Sequence, residues 1–162
     1  RLLNLSYPGG PAIENASGNG DKNSFNFPRP MIYSKDFNFS FSGLKAAVFR
    51  EVKTIKQFNN KIISDIAASV QQAIVDVLVR KTIKAAKKYN VKSILLGGGV
   101  AANQRLQKEM HSQLSTLNFQ LHVPPAHLCT YNAAMIGAYA GFHYKLAQWN
   151  NITANPELYF YD

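Results

Sequence analysis

The run Ser93-Ile94-Leu95-Leu96-Gly97-Gly98-Gly99-Val100-Ala101-Ala102-Asn103 reads as a short apolar strand that breaks into a glycine turn and then into a helix. A wholly apolar strand of this kind is expected to be buried. Glycines let a ligand approach the backbone closely, and a helix N-terminus offers free N–H groups and partial positive charge to an anion such as a nucleotide phosphate. A plain tight turn between strand and helix fits the same pattern. No Lys-Ser or Lys-Thr follows the glycines and the dinucleotide spacing is missing, which excludes a Walker loop and a dinucleotide fingerprint.

Helix is predicted after this turn over residues 100–117, then a weakly alternating strand over 119–123. Thr130 is a candidate cap for a further small-residue helix over 130–147. Upstream, Leu44, Val48, Val52 and Ile55 keep helical spacing. Ile63, Ile66, Ala67, Val70, Ile74, Val77 and Leu78 do the same within a longer helix over 60–89, capped by Asn59 or Asn60. The order strand, helix, strand, helix favours an α/β layer with parallel pairing. Residues 1–41 differ in texture: Gly, Pro, Asn and Ser alternate with aromatics, and Tyr7-Pro8-Gly9-Gly10-Pro11 reads as a rigid turn. Three regions follow: a turn-rich segment over 1–41, a helix-rich α/β lobe over 42–149 and a surface strap over 150–162.

With 46% hydrophobic and 17% charged residues the 162-residue chain has the makings of a real core, which excludes a disordered polymer and a disulfide mini-scaffold. A single cysteine, Cys129, forms no internal disulfide, and a cytoplasmic setting is the default. The start at Arg1 lacks an initiator Met, as a processed or truncated product would. No apolar run is read as long enough for a membrane span. Eighteen Lys and Arg against nine Asp and Glu give a net charge of +9, a field that attracts phosphate-rich partners. Lys81, Lys84, Lys87 and Lys88 cluster near the end of the long helix, so salt-sensitive nucleic-acid binding is expected, against a merely solvated basic face.

Asn103 falls in the first turn of the predicted helix, where its amide can meet a ribose or phosphate-bearing ligand or simply face water. Phe37, Phe39 and Phe41 alternate with polar residues, as an edge strand packing one face into the core does; base stacking is the sharper alternative. His122, His127 and Cys129 are ligand types for zinc or iron, but their spacing is no recognised set. Neither a zincin His-Glu-x-x-His nor a Gly-x-Ser-x-Gly elbow occurs.

Taken together, Tyr7-Pro8-Gly9-Gly10-Pro11, Phe27-Pro28-Arg29-Pro30, Phe39-Ser40-Phe41-Ser42-Gly43-Leu44-Lys45, Gly98-Gly99-Val100-Ala101-Ala102-Asn103 and Cys129-Thr130-Tyr131-Asn132-Ala133-Ala134-Met135-Ile136 closely resemble, in order, the blocks of the tRNA threonylcarbamoyladenosine transferases. The likeness covers essentially the whole chain and corresponds to the C-terminal half of that family's length. It implies an actin-like ATPase fold of the sugar kinase and Hsp70 type, built from two ribonuclease-H-like lobes. This chain would supply mainly the second lobe, with residues 1–41 completing the cleft.

The family moves a threonylcarbamoyl group from threonylcarbamoyl-adenylate to N6 of the adenosine beside the anticodon, in tRNAs reading codons that begin with A. By resemblance, Gly10, Glu14 and Asn103 contact the adenylate or ATP, Glu14 through ribose hydroxyls, while Gly98 and Gly99 approach phosphate. The resemblance also implies tRNA, a paralogous partner subunit and a small ATPase as partners, no membrane, and a bound iron or zinc ion. Two departures stand out: the family's His-x-x-x-His motif is missing, and Tyr131 occupies the position of its aspartate metal ligand, where a phenol is mostly protonated at neutral pH. This chain alone is therefore expected to be inactive. A degenerate, non-catalytic scaffold that binds nucleotide or tRNA is the alternative.

Overall fold

The computed structural model describes residues 2–143 and divides into two compact units, Arg1–Thr130 and Tyr131–Asp162. The first unit is a helix-rich α/β assembly organised around one long helix. Its elements are α1 (Gly9–Ser17), α2 (Ser42–Thr54), α3 (Asn60–Tyr89), β1 (Ser93–Leu95), α4 (Gln104–Ser115) and β2 (Gln120–His122). In the second unit α5 spans Ala133–Phe142. Its cap is Asn132, whose side chain accepts from the Met135 N–H, rather than Thr130. The expected continuation to residue 147 and the strap over 150–162 lie outside the described residues.

Asn59 caps α3 by accepting from the Ile62 N–H, and Asn90 ends it in the left-handed conformation, a geometry asparagine tolerates. One side of α3 builds an apolar core with α2 and the N-terminal segment, in which Leu3, Phe27, Leu44, Val52, Ile66 and Ala73 are buried. Further along, Val75 and Val79 meet Leu106, Met110 and Leu114, spaced i, i+4, i+8 along α4. By length and composition α3 is apolar enough to cross a membrane, contrary to the expectation that no such run exists. It is the core helix of the unit, for its buried positions include Asp65, Ser69, Gln72 and Lys81, and its apolar side is covered by protein.

Those polar positions explain how a chain with little regular structure is held over residues 20–41. Asp65 accepts the Asp21 N–H at 2.7 Å, Ser69 accepts the Phe25 N–H at 3.2 Å, and Asp76 pairs with Arg29 at 3.0 Å. Lys81, only 1% exposed, donates to Ser34 Oγ at 2.7 Å, to Asp36 and to the Asn38 carbonyl. The segment thus runs alongside α3 in the same direction, one staple after another. At its start a Cβ on Gly20 would lie 2.0 Å from the Ser64 carbonyl oxygen, so only glycine permits that approach.

These bonds correct two sequence readings. The stretch around Phe37 and Phe39 is not a strand, because the Lys81 ammonium gathers the oxygens of Ser34, Asp36 and Asn38 around itself and curls the chain. Nor is Lys81 part of an exposed basic cluster; Lys84 also spends its ammonium on the Ser34 and Lys35 carbonyls, while Lys87 and Lys88 remain exposed.

β1 and β2 pair in parallel, Ile94 opposite Leu121, as the sequence order implied. β1 is not buried on both faces: Leu95 is 81% exposed, because among the described residues the sheet has two strands and α4 packs against one side. The predicted helix over 100–117 is also two pieces. Gly99–Ala102 forms a 3₁₀ turn, Asn103 adopts an extended ψ of 117°, and α4 begins after it. An asparagine whose side chain bonds the amide three residues on favours such a restart over continuation.

Candidate functional site

The sequence reads Tyr7-Pro8-Gly9-Gly10-Pro11 as a turn, yet helix starts inside it. Tyr7–Pro8 is a cis peptide, Pro8 is extended, and Gly9-Gly10-Pro11 forms the first turn of α1, where proline's missing N–H costs nothing. This sets Gly9, Gly10 and Ile13 against α3. Together with Gln71, Ile74, Leu78, Val100, Asn103 and Leu106 they line a cavity of about 330 Å³. Two motif blocks some ninety residues apart in sequence therefore share one wall-to-wall site.

Asn103 sits at the junction of its parts. Its Oδ1 accepts the Leu106 N–H at 2.9 Å, capping α4, while its Nδ2 donates to Gln71 Oε1 at 2.7 Å. Gln71 in turn donates from Nε2 to Ser17 Oγ at 2.9 Å, so α1, α3 and α4 are tied by one amide chain. Glu14 does not line the cavity. Its carboxylate accepts the Gln104 N–H at 2.7 Å and so places a negative charge on the N-terminus of α4, where the helix field favours it. The N–H groups expected to await an anion at that helix are thus engaged by protein at Gln104 and Leu106.

Gly98 and Gly99 are exposed and lie outside the cavity lining, although Val100 directly after them lines it. Gly98 has φ 83° and ψ 173°, a region essentially closed to other residues, and a Cβ at Gly97, Gly98 or Gly99 would meet open space. The loop therefore presents bare backbone at the rim. The cavity walls are apolar apart from the Gln71 and Asn103 amides, which suits a flat aromatic ring with a polar edge. Gln71 is the member of the site that the sequence reading missed. Its signal was a lone amide on the otherwise apolar α3 face of Val70, Ile74, Val75 and Leu78.

Among the described residues no three His, Cys, Asp or Glu side chains stand together as a metal centre requires. Cys129 is buried, with its thiol turned to the Pro124 carbonyl at 3.5 Å, while His122 and His127 are exposed. Tyr131 is fully exposed in the second unit.

Comparison with known proteins places the chain in a family whose members are named as transferases. It belongs to the tRNA N6-adenosine threonylcarbamoyltransferase family, whose model matches residues 1–138. Curated relatives bearing that name include one from Thermosipho africanus, 52% identical over 88% of this chain and 42% of its own length. Another, from Fervidobacterium nodosum, is 50% identical over 84% of this chain and 41% of its own. A third, from Rickettsia conorii, is 45% identical over 96% of this chain and 46% of its own. The chain thus spans less than half the length of these relatives.

Proposed function

We propose that this chain is the C-terminal portion of an enzyme that transfers a threonylcarbamoyl group from threonylcarbamoyl-adenylate to N6 of the adenosine beside the anticodon, in tRNAs reading codons that begin with A. In that reaction the adenosine amine attacks the carbamoyl carbon, a C–N bond forms, the bond to the phosphate oxygen breaks, and AMP and a proton leave. The observation that carries the reading is the cavity shared by Gly9, Gly10, Val100 and Asn103. Its apolar walls and paired amides suit the adenine of the adenylate or of ATP, and the Gly98-Gly99 backbone suits the phosphate beyond it. Nothing in the relatives favours the scaffold alternative.

In this proposal the chain adopts one lobe of the actin-like ATPase fold, and the opposite wall of the cleft comes from sequence absent here. The chain alone is then inactive, because positioning by two walls is lost. A paralogous subunit, a small ATPase and a cytoplasmic location complete the proposal. The iron or zinc implied by the resemblance does not fit the residues present: Tyr131, fully exposed, offers a phenol where a carboxylate is needed, and among the described residues no His, Cys, Asp or Glu cluster stands in for it.

The test joins this chain to the N-terminal half of the Thermosipho africanus relative and assays threonylcarbamoyladenosine in tRNA by nucleoside mass spectrometry. Product is expected from the joined protein and none from the 162-residue chain. Gly10→Leu should fill the cavity, which its open Cβ direction permits, and weaken adenylate binding at least about tenfold. Leucine has the better helix propensity at this position, and circular dichroism checks that the variant is folded. A joined protein without product, or a Gly10→Leu variant that binds normally, refutes the reading.

A further inference from the structure

The C-terminal half of α3 carries Arg80, Lys84, Lys87 and Lys88 at spacings i, i+4, i+7 and i+8, which is one face of a helix. At about 100° per residue the middle of this face lies roughly a third of a turn from Gln71, Ile74 and Leu78, which line the cavity. Aromatic rings alternate with the cations. The Arg80 guanidinium lies 4.6 Å from the Tyr33 ring centre, and Lys88 Nζ lies 5.1 Å from Phe37 and 5.5 Å from Tyr89. Tyr33 is 79% and Tyr89 63% exposed.

The carboxylates nearby are already engaged: Asp36 with Lys81 and Ser34, Asp76 with Arg29. Lys84 gives its protons to neutral carbonyls, so its charge stays uncompensated. A depression of about 380 Å³, lined by Arg29, Ile32, Tyr33, Asp76, Arg80 and Gln113, opens at one end, with Asp76 paired to Arg29. From Arg80 to Lys88 the strip covers about 12 Å of helix axis, a length over which one strand of a duplex carries about three or four phosphates.

From these features we propose that this strip is where the chain grips RNA, Arg80, Lys87 and Lys88 on phosphates, Lys84 adding its charge from behind them, and the Tyr33 ring under an unpaired base. That the RNA is tRNA rests on the function proposed above. An anionic lipid surface is the less apt partner, since the exposed large apolar side chains of the strip are tyrosines rather than the aliphatic residues that insert into a bilayer.

The test measures binding of the 162-residue chain to a fluorescent tRNA transcript by anisotropy, from 50 to 200 mM salt. The triple variant Arg80→Gln, Lys87→Gln, Lys88→Gln should bind at least about tenfold more weakly, with a log–log salt slope shallower by about 2. Lys45→Gln, Arg50→Gln, Lys53→Gln on α2 changes net charge equally and should leave most of the affinity. Tyr33→Ala should lose about fivefold or more without altering the slope, and Tyr33→Phe should restore it. Circular dichroism checks that each variant is folded.

Equal losses from the two triples would overturn the strip in favour of the general +9 field. Absence of tRNA binding by the unaltered chain would overturn it as well. So would strip-dependent sedimentation with phosphatidylserine vesicles when tRNA binding is unaffected by the triple. The functional reading fails separately, through the joined protein's lack of product.

Discussion

Replacing Asn103 with alanine removes two interactions at once. The cap on the Leu106 N–H is worth about 1 kcal/mol, and the partly buried bond to Gln71 about another. The expected loss is about 2 kcal/mol, which for a domain of this size lowers the thermal midpoint by about 4 to 8 °C. Asn103→Asp separates the two terms, because aspartate keeps the capping oxygen and suits the helix dipole while losing the donor to Gln71. It should recover about half of the loss. Thermal and urea unfolding of the three proteins, followed by far-ultraviolet circular dichroism, gives both numbers. An Asn103→Ala protein within about 0.5 kcal/mol of the unaltered chain would refute the account, since it would mean that neither amide bond contributes.

Two further perturbations follow from the geometry. The Asp65 carboxyl is held below the usual aspartate range, first by the Lys61 ammonium and then by the Asp21 N–H; Asp36 is lowered too, first by the Ser34 hydroxyl and also by the Asn38 N–H and Lys81. Carboxyls with depressed values in the fold stabilise it fully above the ordinary range and lose that contribution as pH falls through their folded values. The urea midpoint should therefore drop below about pH 4, less steeply in Asp65→Asn; an unchanged slope would count against the pairing. Gly98→Ala should cost about 1 to 3 kcal/mol from backbone conformation alone, as its Cβ meets nothing, whereas Gly99→Ala should be nearly neutral by calorimetry.

Periodicity made α2 and α3 legible, along with the strand–glycine–helix order, because apolar spacing records which face meets the core. It was blind to α1, where two glycines and a proline mimic a loop but occupy a first helical turn. It was equally blind to the course of residues 20–41, fixed by hydrogen bonds from single polar residues that leave no period. Of the candidate site, Gly10 and Asn103 were placed together by motif likeness, and the cavity joins them. Glu14 was read as a ligand group from the same motif, but no pattern shows which of several nearby donors a carboxylate meets; here it is the Gln104 amide.

The staples along α3 carry an implication for how the gene can change. Asp65, Ser69, Asp76 and Lys81 each find their partner because their angular positions around the helix match successive points of the neighbouring segment. Inserting or deleting one codon between them rotates everything beyond it by about 100°. Such a frame-preserving change would aim Lys81 away from Ser34 and swing Arg80, Lys84 and Lys88 out of line with their aromatic neighbours. The length of this stretch is therefore not free to drift.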